Sequence, residues 1–194
     1  TLRPPAGRRP TRNAGATRGW WSSAAARGGR WRATPACRQA RAERPVRYFL
    51  DTEFNGFGGA LLSLALVPDD GPEFYVTLGS AEPPLQWVER NVIPFLDTVP
   101  VGLVSPRLCR REAALALSHY LAVDPEPEVV ADWPEDIAQF CSLLMTGPGE
   151  MVPVHPVTFR LVPLDGFSTA ANSKVPHNAL HDARALRDHL VSLE

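Results

Sequence analysis

Residues 46–54 of the chain read VRYFLDTEF, an apolar run that ends in two acidic residues. Such a run has the length and composition of a buried β-strand, and we predict a first strand over residues 46–53. Side chains two positions apart on a strand share a face, so Asp51 and Glu53 point the same way. Two neighbouring carboxylates are unfavourable unless a proton or a cation compensates them. The segment therefore predicts a cation site at one end of the strand.

The rest of the domain alternates between strand-like and helix-like segments. Two further strands, at residues 60–67 and 73–78, follow tight turns and complete a three-stranded antiparallel meander. In a later helix, Ser105 is the expected N-cap and Pro106 the first helical residue. A meander followed by βα units predicts an α/β fold with a mixed sheet flanked by helices. The remaining predicted strands lie at residues 128–131 and 157–162, and the predicted helices at 84–96, 105–122, 134–145 and from about 179 onward.

The formal net charge of −1 hides a division between two parts of the chain. Residues 1–46 contain eleven arginines and one acid, Glu43, whereas residues 47–194 contain nine basic and twenty acidic residues. We interpret residues 1–45 as a disordered Arg-rich tail and residues 46–194 as the folded domain. The tail could bind nucleic acid through its arginines and tryptophans, could be an organelle-targeting peptide, or could lack a function of its own.

Apolar runs and cysteine spacing exclude several classes of protein. The longest apolar run, at residues 60–67, has the length of a strand and is too short to span a membrane. The three cysteines, Cys37, Cys109 and Cys141, are far apart, so neither a disulfide framework nor a CxxC zinc site is expected. We therefore expect a cytoplasmic protein that does not contact membranes.

The start of the last predicted helix carries a second group of polar residues, in the segment PHNALHDA at residues 176–183. Asp182 falls in the first helical turn, and Asn178 is a suitable N-cap. Because His177 precedes the helix, its side chain can turn back towards Asp182; within a helix the two would lie about 140° apart. His177 and His181 are also spaced for a helical zinc pair, but neither the glutamate of H-E-x-x-H nor a third ligand is present.

Taken in order, these motifs resemble the DEDDh family of 3′–5′ exonucleases, which includes RNase T, oligoribonuclease and polymerase proofreading domains. The resemblance consists of Asp-x-Glu on the first strand, an aspartate that opens a middle helix, and His-x4-Asp at the end. It covers residues 46–193 and is nearest to a compact bacterial branch of 3′–5′ exoribonucleases. The family implies an RNase H-like fold, which agrees with the predicted order of elements.

The family pattern also implies a role for each motif residue. By resemblance, Asp51, Glu53, Asp136 and Asp182 hold two divalent ions, Mg²⁺ or Mn²⁺, and Asp51 bridges them. One ion activates the attacking water and the other stabilises the leaving 3′ oxygen. His177 would be the general base, since an imidazole can accept a proton near neutral pH.

Two candidates exist for the middle acid. Where many family members have Asn-x-x-Phe-Asp, this chain has DWPED at residues 132–136. We favour Asp136 as the ligand, because Ile137 and Phe140 follow it on the expected inward face of the helix. Asp132 occupies the position of the asparagine, and we interpret it as the N-cap of that helix.

The resemblance implies a two-metal-ion 3′–5′ exonuclease that prefers RNA and releases nucleoside 5′-monophosphates from single-stranded 3′ ends or overhangs. Phe54 and Asn55 are the expected substrate contacts; Phe54 either stacks on the terminal base or packs in the core. The basic segment at residues 105–111 either contacts the nucleic acid, contributed across a homodimer, or is a solvated helix surface. Two alternatives stay open: an inactive RNA-binding or scaffold protein with the same fold, and a phosphohydrolase of small nucleotides.

Overall fold

The computed structural model describes residues 46–104 and 106–194. The tail predicted at residues 1–45 lies outside the described part of the chain, as does Ser105. Across the described residues, the helices are all too short or too polar to cross a membrane.

Strand β1 (Arg47–Phe54) lies in the middle of a five-stranded sheet with the order β3-β2-β1-β4-β7. On one side it pairs antiparallel with β2 (Leu61–Pro68), which in turn pairs antiparallel with β3 (Phe74–Thr77). On its other side, β1 pairs parallel with β4 (Glu128–Ala131), and β4 pairs parallel with β7 (Thr158–Leu161). The meander with two further strands confirms the predicted α/β fold class and is compatible with an RNase H-like fold.

Helices cover both faces of the sheet. α2 (Arg110–Leu121) and α3 (Pro134–Leu144) pack on the face that carries Tyr48 and Leu50. α5 (Ala179–Ser192) packs on the opposite face, where its apolar side chains contact residues such as Phe49. Because both faces are covered, the central strands are apolar along nearly their whole length. The buried polar exceptions in β1 and β2 are Asp51, Thr52, Glu53 and Ser63.

The helix predicted at residues 105–122 begins later than expected. α2 starts at Arg110 with Cys109 at the N-cap, and the Glu112 carboxylate accepts a hydrogen bond from the Cys109 backbone. The preceding residues are extended, because Leu108 donates its backbone N–H to the last residue of β3. Pairing with the sheet thus overrides the local helix-start signal of Pro106, and that part of the prediction is wrong.

Other differences concern short elements. The helix predicted at residues 84–96 consists of α1 (Gln86–Asn91) and a separate 3₁₀ turn (Ile93–Phe95), since Pro94 has no N–H with which to continue the α-helix. Residues 145–151, which follow α3, form a two-stranded hairpin. Elements that the sequence did not predict are β5 (Met145–Gly147), β6 (Glu150–Met151) and α4 (Thr169–Asn172).

Asn178 anchors the helix that carries Asp182. α5 begins at Ala179 with Asn178 as its N-cap, as predicted. The fully buried Asn178 side chain accepts hydrogen bonds from the backbone N–H groups of Leu180 and His181. Its amide group donates to the carbonyl oxygen of Phe95 at 2.7 Å. One side chain therefore caps α5 and ties it to the segment that follows α1.

We expect Asn178→Ala to lower the free energy of unfolding by about 2 kcal/mol, because it removes a helix cap and leaves buried polar groups without partners. Urea denaturation followed by tryptophan fluorescence measures the change. The matched control is Asn172→Ala, which removes an exposed side chain bonded to Ser168 one turn earlier and should cost less than about 0.5 kcal/mol. Equal losses in the two variants would contradict the anchoring role of Asn178.

Candidate metal centre

The pleat of β1 points Asp51 and Glu53 towards the face of the sheet that α5 covers, because both alternate in step with Phe49. Both carboxylates are buried, with 9% and 8% of their surface exposed. The parallel pairing of β1 with β4 stops at Phe49 and Val130. The two acids therefore lie at the carboxyl end of β1, past its last pair with β4, where parallel sheets commonly place their binding sites.

Helix α3 brings Asp136 to the same end of the strand. Asp136 lies in the first turn of α3 and is 3% exposed. Its Oδ1 atom accepts hydrogen bonds from the backbone N–H of Thr52 at 3.1 Å and from the Thr52 hydroxyl at 2.6 Å. Since Thr52 separates Asp51 from Glu53 on β1, these two bonds fix Asp136 beside both carboxylates.

Helix α5 contributes Asp182, and the residue before its N-cap contributes His177. His177 has a φ of 60°, and its backbone N–H donates to Oδ2 of Asp182 at 3.2 Å. A positive φ is uncommon outside glycine, costs of order 1 kcal/mol, and is concentrated at functional sites. The His177 ring meets Trp87 of α1 edge to face, with 4.9 Å between the ring centroids. The histidine thus lies outside the helix and beside Asp182, as its position in the sequence suggested.

One cavity of about 500 Å³ is lined by all five of the residues singled out by the family pattern. Potential ligand atoms of Glu53, His177 and Asp182 lie within 4.8 Å of one another. The Oδ1 atom of Asp182 is buried and has no hydrogen-bond partner among the described residues. A buried acceptor without a donor is the kind of atom that a bound cation would satisfy. These three residues therefore fit a divalent ion.

A second group of ligand atoms lies in the same cavity. Oxygens of Asp51, Asp132 and Asp136 also lie within 4.8 Å of one another. The residue at the N-cap of α3 is Trp133, and it makes no side-chain capping bond. The interpretation of Asp132 as the helix cap is therefore wrong. Asp132 directly follows β4. An aspartate at the carboxyl end of a predicted strand was the sequence signal that could have identified it as a candidate ligand.

Burial raises the pKa of every acid in the family pattern. Loss of hydration is the largest cause, and neighbouring carboxylates add to it. The pKa of Glu53 rises to about 8, that of Asp136 to about 7 and that of Asp182 to about 6, while that of Asp51 lies well above its usual range. No lysine or arginine is among the described residues that line the cavity. Protons or bound cations must therefore offset the charge.

Aromatic side chains surround the mouth of the cavity. Phe57 and Trp133 are 82% and 50% exposed, and their ring centroids lie 6.3 Å apart. Phe57 also contacts Phe54, at 6.2 Å between centroids. Trp87, beside the His177 ring, is also largely exposed. The sequence prediction included Phe54 but neither of the tryptophans.

Two residues considered from the sequence lie outside the cavity. The buried Asn55 side chain accepts a hydrogen bond from the backbone N–H of Leu85 and donates one to the carbonyl oxygen of Pro83. Asn55 therefore joins the turn after β1 to the segment before α1, rather than lining the site as the predicted substrate contact. His181, the other half of the zinc pair, places its Nε2 atom 3.0 Å from the carbonyl oxygen of Thr98.

A larger cavity, of about 590 Å³, is lined by fewer charged side chains. Its charged lining residues are Arg110 and Glu135. Both already have partners, since the Arg110 guanidinium binds the Ser142 hydroxyl and the Glu135 carboxylate accepts from the backbone N–H of Gly58. Among the described residues, the groups that could together bind a metal lie in the smaller cavity.

No protein-family model matches this chain, and no curated protein is significantly similar to it. The likeness to DEDDh exonucleases therefore rests on the motif residues and on their positions in the fold.

We expect the metal-free protein to lose stability as the pH rises from about 5 to about 8. In the folded protein the buried acids release their protons only as the pH passes about 6 for Asp182, about 7 for Asp136 and about 8 for Glu53, whereas in the unfolded chain they have released them above about pH 4. Their contribution is therefore complete below pH 4 and lost as the pH passes the raised values. Urea denaturation in EDTA across this range measures the loss.

Glu53→Gln should reduce this pH dependence, because the amide cannot ionise. Asp70→Asn is the control, since Asp70 is exposed in the turn between β2 and β3 and should leave the pH profile unchanged. A Glu53→Gln profile that falls as steeply as that of the wild type would contradict the raised pKa of Glu53.

Proposed function

We propose that this chain is a metal-dependent 3′–5′ exoribonuclease of the DEDDh type, which acts on single-stranded 3′ ends or overhangs and releases nucleoside 5′-monophosphates. The proposal rests on one observation: carboxylates from three separate parts of the chain meet a histidine in a single cavity. Phosphodiester hydrolysis with two divalent ions is a reaction that needs this set of groups. The residues are Asp51, Glu53, Asp136, Asp182 and His177.

The donor set suits Mg²⁺ or Mn²⁺. Glu53 and Asp182 would hold one ion, and Asp51 and Asp136 the other. Carboxylate oxygens are the ligands that such hard ions prefer, whereas no thiol lines the cavity within the described residues. When bound, the two ions supply activation of the attacking water and stabilisation of charge on the leaving oxygen.

His177 is placed to act as the general base. Its ring lies at the cavity wall, close to the carboxylates of Glu53 and Asp182. The backbone bond to Asp182 and the contact with Trp87 limit the orientations that the ring can take. A base held in this way would accept the proton of the attacking water, a contribution of about 10²- to 10⁴-fold in rate.

The aromatic rim supports a single-stranded substrate. Phe57 and Trp133 present exposed ring surfaces beside the site. Unpaired bases stack on such rings with about 1–3 kcal/mol each and without sequence preference. In a duplex, neighbouring base pairs already cover the faces of the bases, so a single-stranded 3′ end can use this rim. The preference for RNA follows from the resemblance to exoribonucleases.

We expect Asp51→Asn and His177→Asn each to slow the Mg²⁺- or Mn²⁺-dependent shortening of a 5′-labelled single-stranded RNA by at least about 100-fold. Gel electrophoresis should show a ladder that shortens from the 3′ end. Asp70→Asn should cleave at the wild-type rate.

Three outcomes would contradict this function. Full activity in Asp51→Asn would rule out the proposed chemistry. Hydrolysis of free nucleotides in preference to oligomers would indicate a small-nucleotide phosphohydrolase. RNA binding that survives EDTA, without any cleavage, would indicate an inactive binding protein.

We expect Phe57→Ala and Trp133→Ala each to raise KM for single-stranded RNA by about 10-fold, because each variant removes a surface on which a base can stack. The turnover number should change little, since neither ring is among the groups assigned to the chemistry. Val123→Ala serves as the control, because Val123 is 84% exposed and is not among the residues that line the cavity. Unchanged KM values in both aromatic variants would argue against the rim as the binding surface.

A further inference from the structure

Asp132 lies next to Asp51 because of the strand order. β4 and β1 are parallel neighbours, and their pairing ends at Val130 and Phe49. Asp132 lies two residues beyond Val130, and Asp51 lies two residues beyond Phe49. The two aspartates therefore occupy equivalent positions on neighbouring strands. The oxygens of Asp132 and Asp51 are consequently within 4.8 Å of each other and of Asp136.

Asp51 provides an independent sign that a ligand belongs here. It is nine-tenths buried, and the causes that raise its pKa are burial and neighbouring carboxylates, with no hydrogen bond among them. Such a carboxylate is strongly unfavourable unless a proton or a cation compensates it. A compensating cation would come from outside the chain, because the described lining residues include no lysine or arginine.

Asp136 can offer this cation only part of its carboxylate. Both hydrogen bonds from Thr52 end on Oδ1 of Asp136. Oδ2 therefore remains as the oxygen available to an ion. With Asp51 shared between two ions, the second ion would receive few protein ligands from the four acids of the family pattern.

We propose that Asp132 is a direct ligand of the second ion and completes a three-carboxylate site with Asp51 and Asp136. This inference rests on the proposed function for the identity of the ions, and it adds a fifth acid to the family's four. An additional carboxylate raises the affinity of the site for a divalent cation, since affinity follows the number of charged ligands. The second ion is therefore held in the absence of substrate.

Calorimetric titration of the full chain with Mn²⁺, without RNA, tests this role. The wild type should bind two ions, and Asp132→Asn should weaken the binding of one of them by about tenfold or more. The other ion, at Glu53 and Asp182, should keep its affinity within about threefold. Circular dichroism and urea denaturation confirm that each variant is folded.

Glu135→Gln is the matched control for a loss of charge alone. Glu135 is a near neighbour of Asp136, but its carboxylate accepts from the backbone N–H of Gly58, and it is not among the residues that line the metal cavity. Its replacement should leave both Mn²⁺ affinities within about threefold. Equal effects of Asp132→Asn and Glu135→Gln would overturn the inference, because Asp132 would then act only as a nearby charge.

Failure of this inference is distinguishable from failure of the proposed function. An Asp132→Asn variant that binds both ions as the wild type does, in a protein that degrades RNA, would contradict the ligand role alone. A wild type that binds two ions, loses one in Asp132→Asn and cleaves no RNA would support the ligand role and contradict the exonuclease.

Discussion

The fold buries several carboxylates in one cavity, and its stability depends on how their negative charge is compensated. Asp51, Glu53, Asp136 and Asp182 are each at least nine-tenths buried, and burial raises the pKa of all four. Water cannot solvate them fully, and the described lining residues offer no lysine or arginine as a partner. Such an arrangement is costly in a protein that only needs to fold, because apolar residues would fill the same space at lower cost. We therefore propose that the site accepts cations.

The fold places these groups through a small number of contacts. Alternation along β1 directs Asp51 and Glu53 to one face and Thr52 to the other, where Thr52 binds Asp136 of α3. On the opposite face, Asn178 fixes the start of α5 and with it Asp182. Elements far apart in the sequence thus meet at the carboxyl end of β1. These contacts hold the acids in place and leave some of the carboxylate oxygens without a hydrogen bond.

Much of this arrangement could be predicted from the sequence, because its signals are local. The apolar run with alternating acids predicted β1, and an asparagine before an amphipathic segment predicted the start of α5. The start of α2 could not be predicted locally, since Leu108 pairs with the end of β3 and keeps the preceding residues extended. Asp132 was misinterpreted because an aspartate before a helix is a common N-cap. The N-cap of α3 is Trp133, and the parallel pairing of β1 with β4 places Asp132 beside Asp51.

Anomalous diffraction from crystals of the full chain soaked in Mn²⁺ tests directly whether the cavity binds divalent ions. We expect two anomalous peaks in the cavity, one within ligand distance of Glu53 and Asp182 and the other within ligand distance of Asp51, Asp132 and Asp136. Crystals that show no peak in this cavity under saturating Mn²⁺ would contradict the view that these acids are gathered to bind divalent ions.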